Sequence, residues 1–367
     1  MAPRIMECWD PAKIPIITSL AKNFVLFDEW HASIPGPTYG NRMYWHAATS
    51  DGYCTNDVPD DGFQVKTLYE LLDESGYNWA FYFDQVQDAS FFNYTRAPRF
   101  SNRLRRLKQF QQDVNAQTLP TVSFILPNFF GELERPSTDQ HPAHAVSLGE
   151  SLMKTVYEEL RASPSWDKSV LIITYDEHGG FYDHFSTPLN NVPNPDGKIC
   201  THPVTFDFSR LGLRIPTLLI SPWVDHDVVH SPKGFMPHPS SKFEHSSFIA
   251  TLSRQLGLNG PLTRRDAWAA PFDYLFSRTS PRTDCPMHLP SVNWTELERY
   301  MKLKENHPEH MQPLHELHFA YLKAANTMIG LPRDANLHTL KTEQDGADYA
   351  AYVMREWHAR AVQHPQY

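Results

Sequence analysis

Short apolar runs alternate along the chain with segments in which apolar residues recur every three or four positions. The first pattern predicts buried strands, and the second predicts helices with one apolar face. The predicted strands cover residues 24–28, 79–83, 121–126, 170–175 and 215–220. The predicted helices cover residues 11–22, 66–75, 103–114, 146–160, 248–256, 314–325 and 347–362. Strands that alternate with helices predict an α/β protein, built as one large domain or two smaller ones.

Acidic and imidazole side chains follow one of these strands directly. The stretch 171–184 reads LIITYDEHGGFYDH, so Asp176 and Glu177 come just past the strand, and Asp183 and His184 follow two glycines. Ligands bind at the carboxyl ends of strands in open α/β sheets, and adjacent carboxylates suit a hard metal ion. The stretch therefore predicts a metal or acid–base site. The alternative interpretation is a solvent-exposed turn with a few charges.

A second candidate is the stretch 33–42, SIPGPTYGNR. Pro-Gly-Pro predicts a turn, and a helix is predicted after it, so Thr38 is a candidate N-cap. That role alone would explain the residue. A hydroxyl at a helix N-terminus would also face bound phosphate, and Asn41 would donate to a phosphoryl oxygen. With a metal ion on Asp176 and Glu177 to activate it, Thr38 would act as the nucleophile of a phosphoryl-transfer site.

Two further polar pairs precede predicted helices. His141 and His144 come before the helix at 146–160, where they would cap the helix, lie at the surface or bind phosphate. Glu244 and His245 come before the helix at 248–256, where they would form a capping cluster or contribute to the same pocket.

Composition limits the classes of function. The chain has 367 residues and a formal net charge of −9, which argues against nucleic acid as its main partner. No apolar run approaches the roughly 18 residues of a transmembrane helix, and no signal peptide is visible, so localisation stays open. The four cysteines contain no CxxC pair, which argues against a zinc ribbon, and are compatible with two disulfides or with none.

Several motifs, taken jointly and in order, resemble those of the phosphoesterase family. That family includes bacterial phosphatidylcholine-type phospholipases C, plant non-specific phospholipases C and a related acid phosphatase of the alkaline-phosphatase superfamily. Residues 33–42 resemble S-V-P-G-P-T-x-P-N-R, and residues 139–142 resemble D-x-H-P. Residues 175–184 resemble Y-D-E-x-G-G-x-Y-D-H, and residues 213–223 resemble R-V-P-x-x-x-x-S-P-W. FEHSS at 243–247 and RTDCP at 282–286 complete the set, which spans about residues 5–290.

The resemblance implies an alkaline-phosphatase-like α/β/α sandwich with a mostly parallel central sheet. Residues 1–285 would form the phosphoesterase catalytic domain, and residues 286–367 would form a helical C-terminal extension. Thr38 would be the nucleophile, Asn41 and His141 would contact phosphate, and Asp176 and Glu177 would bind a divalent metal ion of unknown identity. Four further residues would lie in or around the pocket: Asp183, His184, Glu244 and His245.

The implied function is phospholipase C-type hydrolysis, which converts a glycerophospholipid into diacylglycerol and a phosphorylated head group. The implied partners are a phospholipid or another phosphate ester and, peripherally, a membrane surface, with no nucleic acid. The family's N-terminal E-N-R-S-F-D-H motif, which completes the metal site, is not found. We therefore expect either a chain that lacks its true start or an incomplete metal site. Two alternatives remain: a soluble phosphomonoesterase, and an inactive lipid-binding relative.

Overall fold

The structure is a computed structural model. It describes residues 5–85, 88–131, 137–142, 144–295, 297–298 and 313–363. Residues 296, 299–312 and 364–367 of the predicted C-terminal extension therefore lie outside the described residues. Within the described residues, no helix is both long enough and apolar enough to span a membrane.

Nine strands form three hydrogen-bonded sheets among the described residues. The strands are β1 (Val25–Phe27), β2 (Trp30–His31), β3 (Trp79–Phe83), β4 (Leu104–Arg106), β5 (Val122–Ile125), β6 (Leu171–Thr174), β7 (Thr217–Ile220), β8 (Asp227–Val229) and β9 (Phe243–Glu244). The four-stranded sheet has the order β6-β7-β1-β8, the three-stranded sheet has the order β4-β3-β5, and β2 pairs with β9.

The predicted α/β class is confirmed, and four of the six strand pairings are parallel. The described strands nevertheless form three sheets, where the prediction has one central sheet. β7 runs antiparallel to both β1 and β6. A parallel return needs a crossover, which is usually a helix, and residues 175–216 between β6 and β7 contain none. The chain therefore reverses through an irregular connection, and β7 returns antiparallel.

Ten α-helices surround the strands in the described residues. They are α1 (Pro15–Asn23), α2 (Thr38–Ala47), α3 (Leu68–Glu74), α4 (Asn93–Arg96), α5 (Leu107–Ala116), α6 (Val146–Ala162), α7 (Ser246–Leu256), α8 (Arg264–Trp268), α9 (Glu316–Met328) and α10 (Glu343–Gln363). The helix predicted at 103–114 is wrong at its start, because residues 104–106 form β4 alongside β3. Thr67 caps α3 with a full capping box that the sequence interpretation missed.

The two C-terminal helices share their core with the rest of the chain. Tyr321 and Leu322 of α9 pack in one cluster with Tyr39 and Phe91, and Trp357 of α10 packs in another with residues of α3 and β3. A disulfide joins Cys54 to Cys200, which ties the loop after α2 to the β6–β7 connection.

Candidate active site

Thr38 is the first residue of α2 and is only 5% exposed. The prediction that Thr38 caps the helix is wrong, because Pro37 occupies the cap position and no side chain caps the helix. The helix already includes Thr38, ahead of the predicted start, because proline's fixed φ suits the residue that leads into a helix. The Thr38 hydroxyl forms no hydrogen bond with another described residue, so it is free to meet a ligand at the positive end of α2.

Asn41 braces the turn that presents Thr38. Its Oδ1 accepts a hydrogen bond from the Ile34 amide at 3.0 Å, and its Nδ2 donates to the Gly36 carbonyl at 2.9 Å. The side chain is fully buried. Its position one turn after Thr38 matches the motif, and its role towards phosphate remains a prediction.

Arg42 connects α2 to the first of the predicted metal ligands. Its Nε donates to Oδ2 of Asp176 at 2.9 Å, and its Nη1 donates to the Tyr321 hydroxyl at 2.8 Å and lies 3.3 Å from Oδ1 of Asp88. Residues four apart lie on the same face of a helix. Asp176 therefore contacts the face of α2 that carries Thr38.

Glu177 lies beside Asp176 in a partly buried turn. Burial and the neighbouring Asp176 carboxylate raise the pKa of Glu177 to about 7. Its Oε2 accepts a hydrogen bond at 2.7 Å from the amide of Gly179, whose φ of +66° favours glycine. Arg42 pairs with Asp176, whereas the ion-pair neighbour of the Glu177 carboxylate among the described residues is His178, whose Nδ1 lies 3.6 Å from Oε2.

His245 holds the backbone of this turn. Its Nε2 lies 2.8 Å from the Asp176 carbonyl oxygen, and its Nδ1 accepts a weak hydrogen bond from Trp30 Nε1 at 3.5 Å. A carbonyl only accepts and an indole N–H only donates, so the imidazole carries its proton on Nε2. Burial lowers the pKa of His245 to about 4, so the ring is neutral at pH 7. It acts here as a brace for Asp176.

Glu244 ties the sheet to the Thr38 turn. The parallel β2–β9 pairing brings it opposite His31, and its Oε2 accepts a hydrogen bond from the Ser33 hydroxyl. Burial raises the pKa of Glu244. The fully buried Arg265 donates to the Ser33 carbonyl at 2.8 Å, so the turn is held from two sides.

Asp183 and His184 lie further along the same connection. Both Asp183 oxygens bind Arg214 at 2.8 Å, and these hydrogen bonds lower the pKa of Asp183. The His184 side chain is 82% exposed. The structure therefore uses Asp183 to anchor the connection and leaves His184 in solvent.

His141 and His144 belong to a histidine cluster at the C-terminal helices. His141 stacks on His315, with ring centroids 5.2 Å apart. His144 bridges Asp139 at 2.6 Å and Glu343 of α10 at 3.2 Å. Burial opposes a charged imidazole, but the hydrogen bonds to both carboxylates outweigh it and raise the pKa of His144 to about 10.

This cluster adjoins the carboxylate turn through a hydrogen bond at the end of β6. The Tyr175 hydroxyl donates to the side-chain oxygen of Gln140. The segment with His141 thus packs beside the turn with Asp176. No hydrogen bond or ring contact between described residues joins His141 to Thr38, so its phosphate role remains a prediction.

Sequence reasoning missed the residues that connect these parts. Arg42 lies inside the motif at 33–42, and its spacing of four from Thr38 was an available signal. No sequence signal marked Asp88, Tyr321 or Arg265, because their partners lie far away in sequence.

The carboxylate pair offers two oxygen ligands of the kind that hard divalent cations prefer. In the parts of the chain that the structure describes, no group of three or more His, Cys, Asp or Glu side chains is arranged to hold a metal ion. Asp176 and Glu177 would thus supply part of the ligand set that a divalent metal ion needs.

Comparison with known proteins was made for sequence and for structure. The family profile described as "Phosphoesterase family" matches residues 2–259. Non-specific phospholipase C3 of Arabidopsis thaliana is 39% identical over 330 residues, which is 89% of this chain and 62% of the relative. Non-specific phospholipase C1 of the same plant is 44% identical over 308 residues, which is 80% of this chain and 56% of the relative. Phospholipase C A of Mycobacterium tuberculosis is 28% identical over 308 residues, covering 72% and 54%.

The chain thus spans between about half and three fifths of the length of these curated relatives. Among solved structures, a protein of the alkaline phosphatase superfamily from Vibrio parahaemolyticus aligns with 67% of this chain and 61% of its own. That alignment has 12% identity and a TM-score of 0.42, which is too low to support a conclusion.

Proposed function

The chain belongs to the phosphoesterase family, and from this premise we propose that it is a phospholipase C-type hydrolase. Its substrate would be a glycerophospholipid, cleaved between the glycerol oxygen and phosphorus. The observation that carries the proposal is the Thr38 hydroxyl at the start of α2, which bonds to no described residue and lies on the helix face whose Arg42 holds Asp176. The plant and bacterial relatives, which are named phospholipases C, support the same reaction class.

The reaction would proceed in two displacements at phosphorus. The Thr38 oxygen attacks phosphorus, the bond to the glycerol oxygen breaks, and diacylglycerol leaves with a proton. The head group then remains esterified to phosphate on Thr38. Water attacks phosphorus next, the bond to the Thr38 oxygen breaks, and the phosphorylated head group is released.

The described residues give this reaction its geometry. Asn41 and Glu244 fix the turn from 33 to 37, so the Thr38 hydroxyl meets phosphorus in one orientation. The positive end of the α2 dipole would stabilise negative charge that develops on the phosphoryl oxygens. His245 and Arg42 hold Asp176 by its carbonyl and its carboxylate, which fixes the position of this carboxylate relative to α2.

We also propose that a divalent metal ion binds at Asp176 and Glu177. Its bound charge would polarise the phosphoryl oxygens and lower the pKa of the Thr38 hydroxyl. The support is the presence of two adjacent carboxylates, of which Asp176 pairs with Arg42 while Glu177 forms no ion pair with a Lys or Arg among the described residues. We propose, further, that the chain meets its lipid substrate at a membrane surface as a peripheral protein.

The test is diacylglycerol release from phosphatidylcholine vesicles by the full chain, with divalent metal and with chelator. Thr38→Ala should abolish release, whereas Thr38→Ser, which keeps a hydroxyl, should retain part of it. Circular dichroism of each variant checks that the fold is intact. Release by folded Thr38→Ala at the wild-type rate would exclude Thr38 as the nucleophile.

Two further measurements separate the alternatives. Hydrolysis of a soluble phosphomonoester without lipid cleavage would identify a phosphatase, and vesicle binding without either reaction would identify an inactive lipid-binding relative. Calorimetry should show that Asp176→Asn weakens metal binding at least tenfold relative to wild type. Unchanged affinity would remove Asp176 from the metal site.

A further inference from the structure

Large apolar side chains are exposed along one part of the β6–β7 connection. Six of them project into solvent within 24 residues, with exposed fractions from 37% to 61%: Phe181, Tyr182, Phe185, Leu189, Ile199 and Val204. We call these six the 181–204 surface. Apolar side chains gathered on one segment mark an interaction site more often than scattered ones do.

The backbone beneath the 181–204 surface is firmly anchored. Asp183 binds Arg214 through both carboxylate oxygens, and the disulfide fixes Cys200 to Cys54. The buried Arg265 donates to the Pro193 carbonyl at 3.0 Å. The connection is thus held in a shape that keeps its apolar side chains outside the core.

The 181–204 surface begins at the candidate active site. Phe181 comes four residues after Glu177, whose carboxylate is fixed by the Gly179 amide. The Tyr182 amide donates to the Ile5 carbonyl at 3.0 Å, which brings another exposed apolar residue to the same edge. A partner that covers Phe181 and Tyr182 would therefore also lie beside the Asp176–Glu177 turn.

Charge on this surface favours a neutral partner. Between residues 181 and 204 the only Lys or Arg is Lys198, and it pairs with Asp51. Asp183 is paired with Arg214, and the Asp196 carboxylate accepts a hydrogen bond from Thr49. Anionic membranes attract proteins through clusters of Lys and Arg, and residues 181–204 carry no such cluster; Arg264, which donates to the Asn194 carbonyl at 2.9 Å, is a single exposed cation beside them. An apolar surface without basic residues fits the interface of a zwitterionic bilayer.

We propose that the 181–204 surface inserts into a zwitterionic, phosphatidylcholine-type bilayer and holds the Thr38 site at its interface. The inference rests on the proposed function in one respect, since it takes the substrate to be a lipid in a membrane. Insertion would supply the lipid without lifting it far out of the bilayer. Head-group charge would contribute little to the binding.

The experiment measures co-sedimentation with vesicles of pure phosphatidylcholine and with vesicles that contain phosphatidylserine. Every protein carries Thr38→Ala, so that lipid is not consumed. The test variant adds Tyr182→Ser and Leu189→Ser, which replace side chains that are 60% and 55% exposed. The matched control adds Met287→Ser and Val362→Ser, which are exposed apolar residues outside the connection.

We expect the test variant to bind phosphatidylcholine vesicles at least tenfold more weakly than the parent, and the control to bind as the parent does. Added phosphatidylserine and moderate salt should change the parent's binding less than threefold. Equal binding by the test variant would overturn the proposal. Binding that requires phosphatidylserine and disappears in salt would also overturn it, in favour of an anionic membrane.

A second readout separates this proposal from the proposed function. A short-chain phosphatidylcholine below its micelle concentration should be cleaved equally by wild type and by the Tyr182→Ser, Leu189→Ser variant with Thr38 intact. If wild type cleaves no such monomer, the proposed function fails, while the vesicle-binding result still decides whether the surface inserts. If the variant loses monomer cleavage, the two residues act in the site and membrane insertion is refuted as their role.

Discussion

The bridge from His144 to Asp139 and Glu343 makes the stability of the protein depend on pH in a way that can be measured. The side chain of His144 is 5% exposed, and both carboxylates are similarly buried. His144→Asn removes the positive charge and leaves the two carboxylates facing each other. Removing one partner of a buried ion pair typically costs about 3–5 kcal/mol.

The pKa of His144 gives the direction and size of the pH dependence. The folded-state pKa of about 10 lies above the ordinary value of 6.5, so the charged form stabilises fully below pH 6.5 and the effect is lost as pH rises through about 10. A tenfold change in proton affinity is worth about 1.36 kcal/mol. The stabilisation is therefore about 4–5 kcal/mol at pH 6 and about 1 kcal/mol at pH 9.

The assay is urea unfolding followed by tryptophan fluorescence, for wild type and His144→Asn, at pH 6, 7, 8 and 9 and constant ionic strength. We expect the difference in free energy of unfolding to fall by about 3 kcal/mol between pH 6 and pH 9. His338→Asn, at an exposed histidine, is the control and should show no such trend. A difference that stays constant across this range would refute a charged His144.

Three further changes have expected outcomes. Tyr321→Phe removes a buried hydroxyl that accepts a hydrogen bond from Arg42 and donates one to Asp88. Thermal unfolding should show a loss of about 1–3 kcal/mol in the free energy of unfolding, and lipid cleavage should slow. Unchanged cleavage kinetics would show that this contact does not affect catalysis. Cys54→Ala opens a disulfide with a sequence separation of 146, and should cost about 2–5 kcal/mol in urea unfolding, with no loss counting against a formed bond. Thr67→Ala should cost about 1 kcal/mol by removing the capping box of α3, and a thermal midpoint equal to wild type would contradict it.

The fold was predictable where one pattern dominates a whole element. All five residues of β3 are buried, and the strand matches the prediction at both ends. Strands β2 and β9 were missed because each has two residues, which are too few to show an alternation of apolar and polar positions. The segment from Leu104 to Arg106 was predicted as helix because Leu104 and Leu107 are three apart, while edge pairing with β3 decides the outcome.

The site was predictable as separate pieces. The family, inferred from the joined motifs, is confirmed, and contacts connect the Thr38 turn with Asp176, Glu244 and His245. What the sequence could not supply is the network that joins them. Arg42 donates a hydrogen bond to Tyr321, which is 279 residues away, and no local sequence pattern predicts such a pairing.

The antiparallel return from β6 to β7 has a consequence for how this protein can diversify. Four residue pairs fix the register of these two strands, and the connection between them contributes no further pair to this register. Outside its anchors at Pro193 and Cys200, its length and composition can therefore change while the sheet stays the same, since loop closure costs rise only slowly with length. Exchanging residues 185–207 between relatives, with these two anchors kept, would then transfer a preference for one kind of surface without rebuilding the Asp176–Glu177 turn.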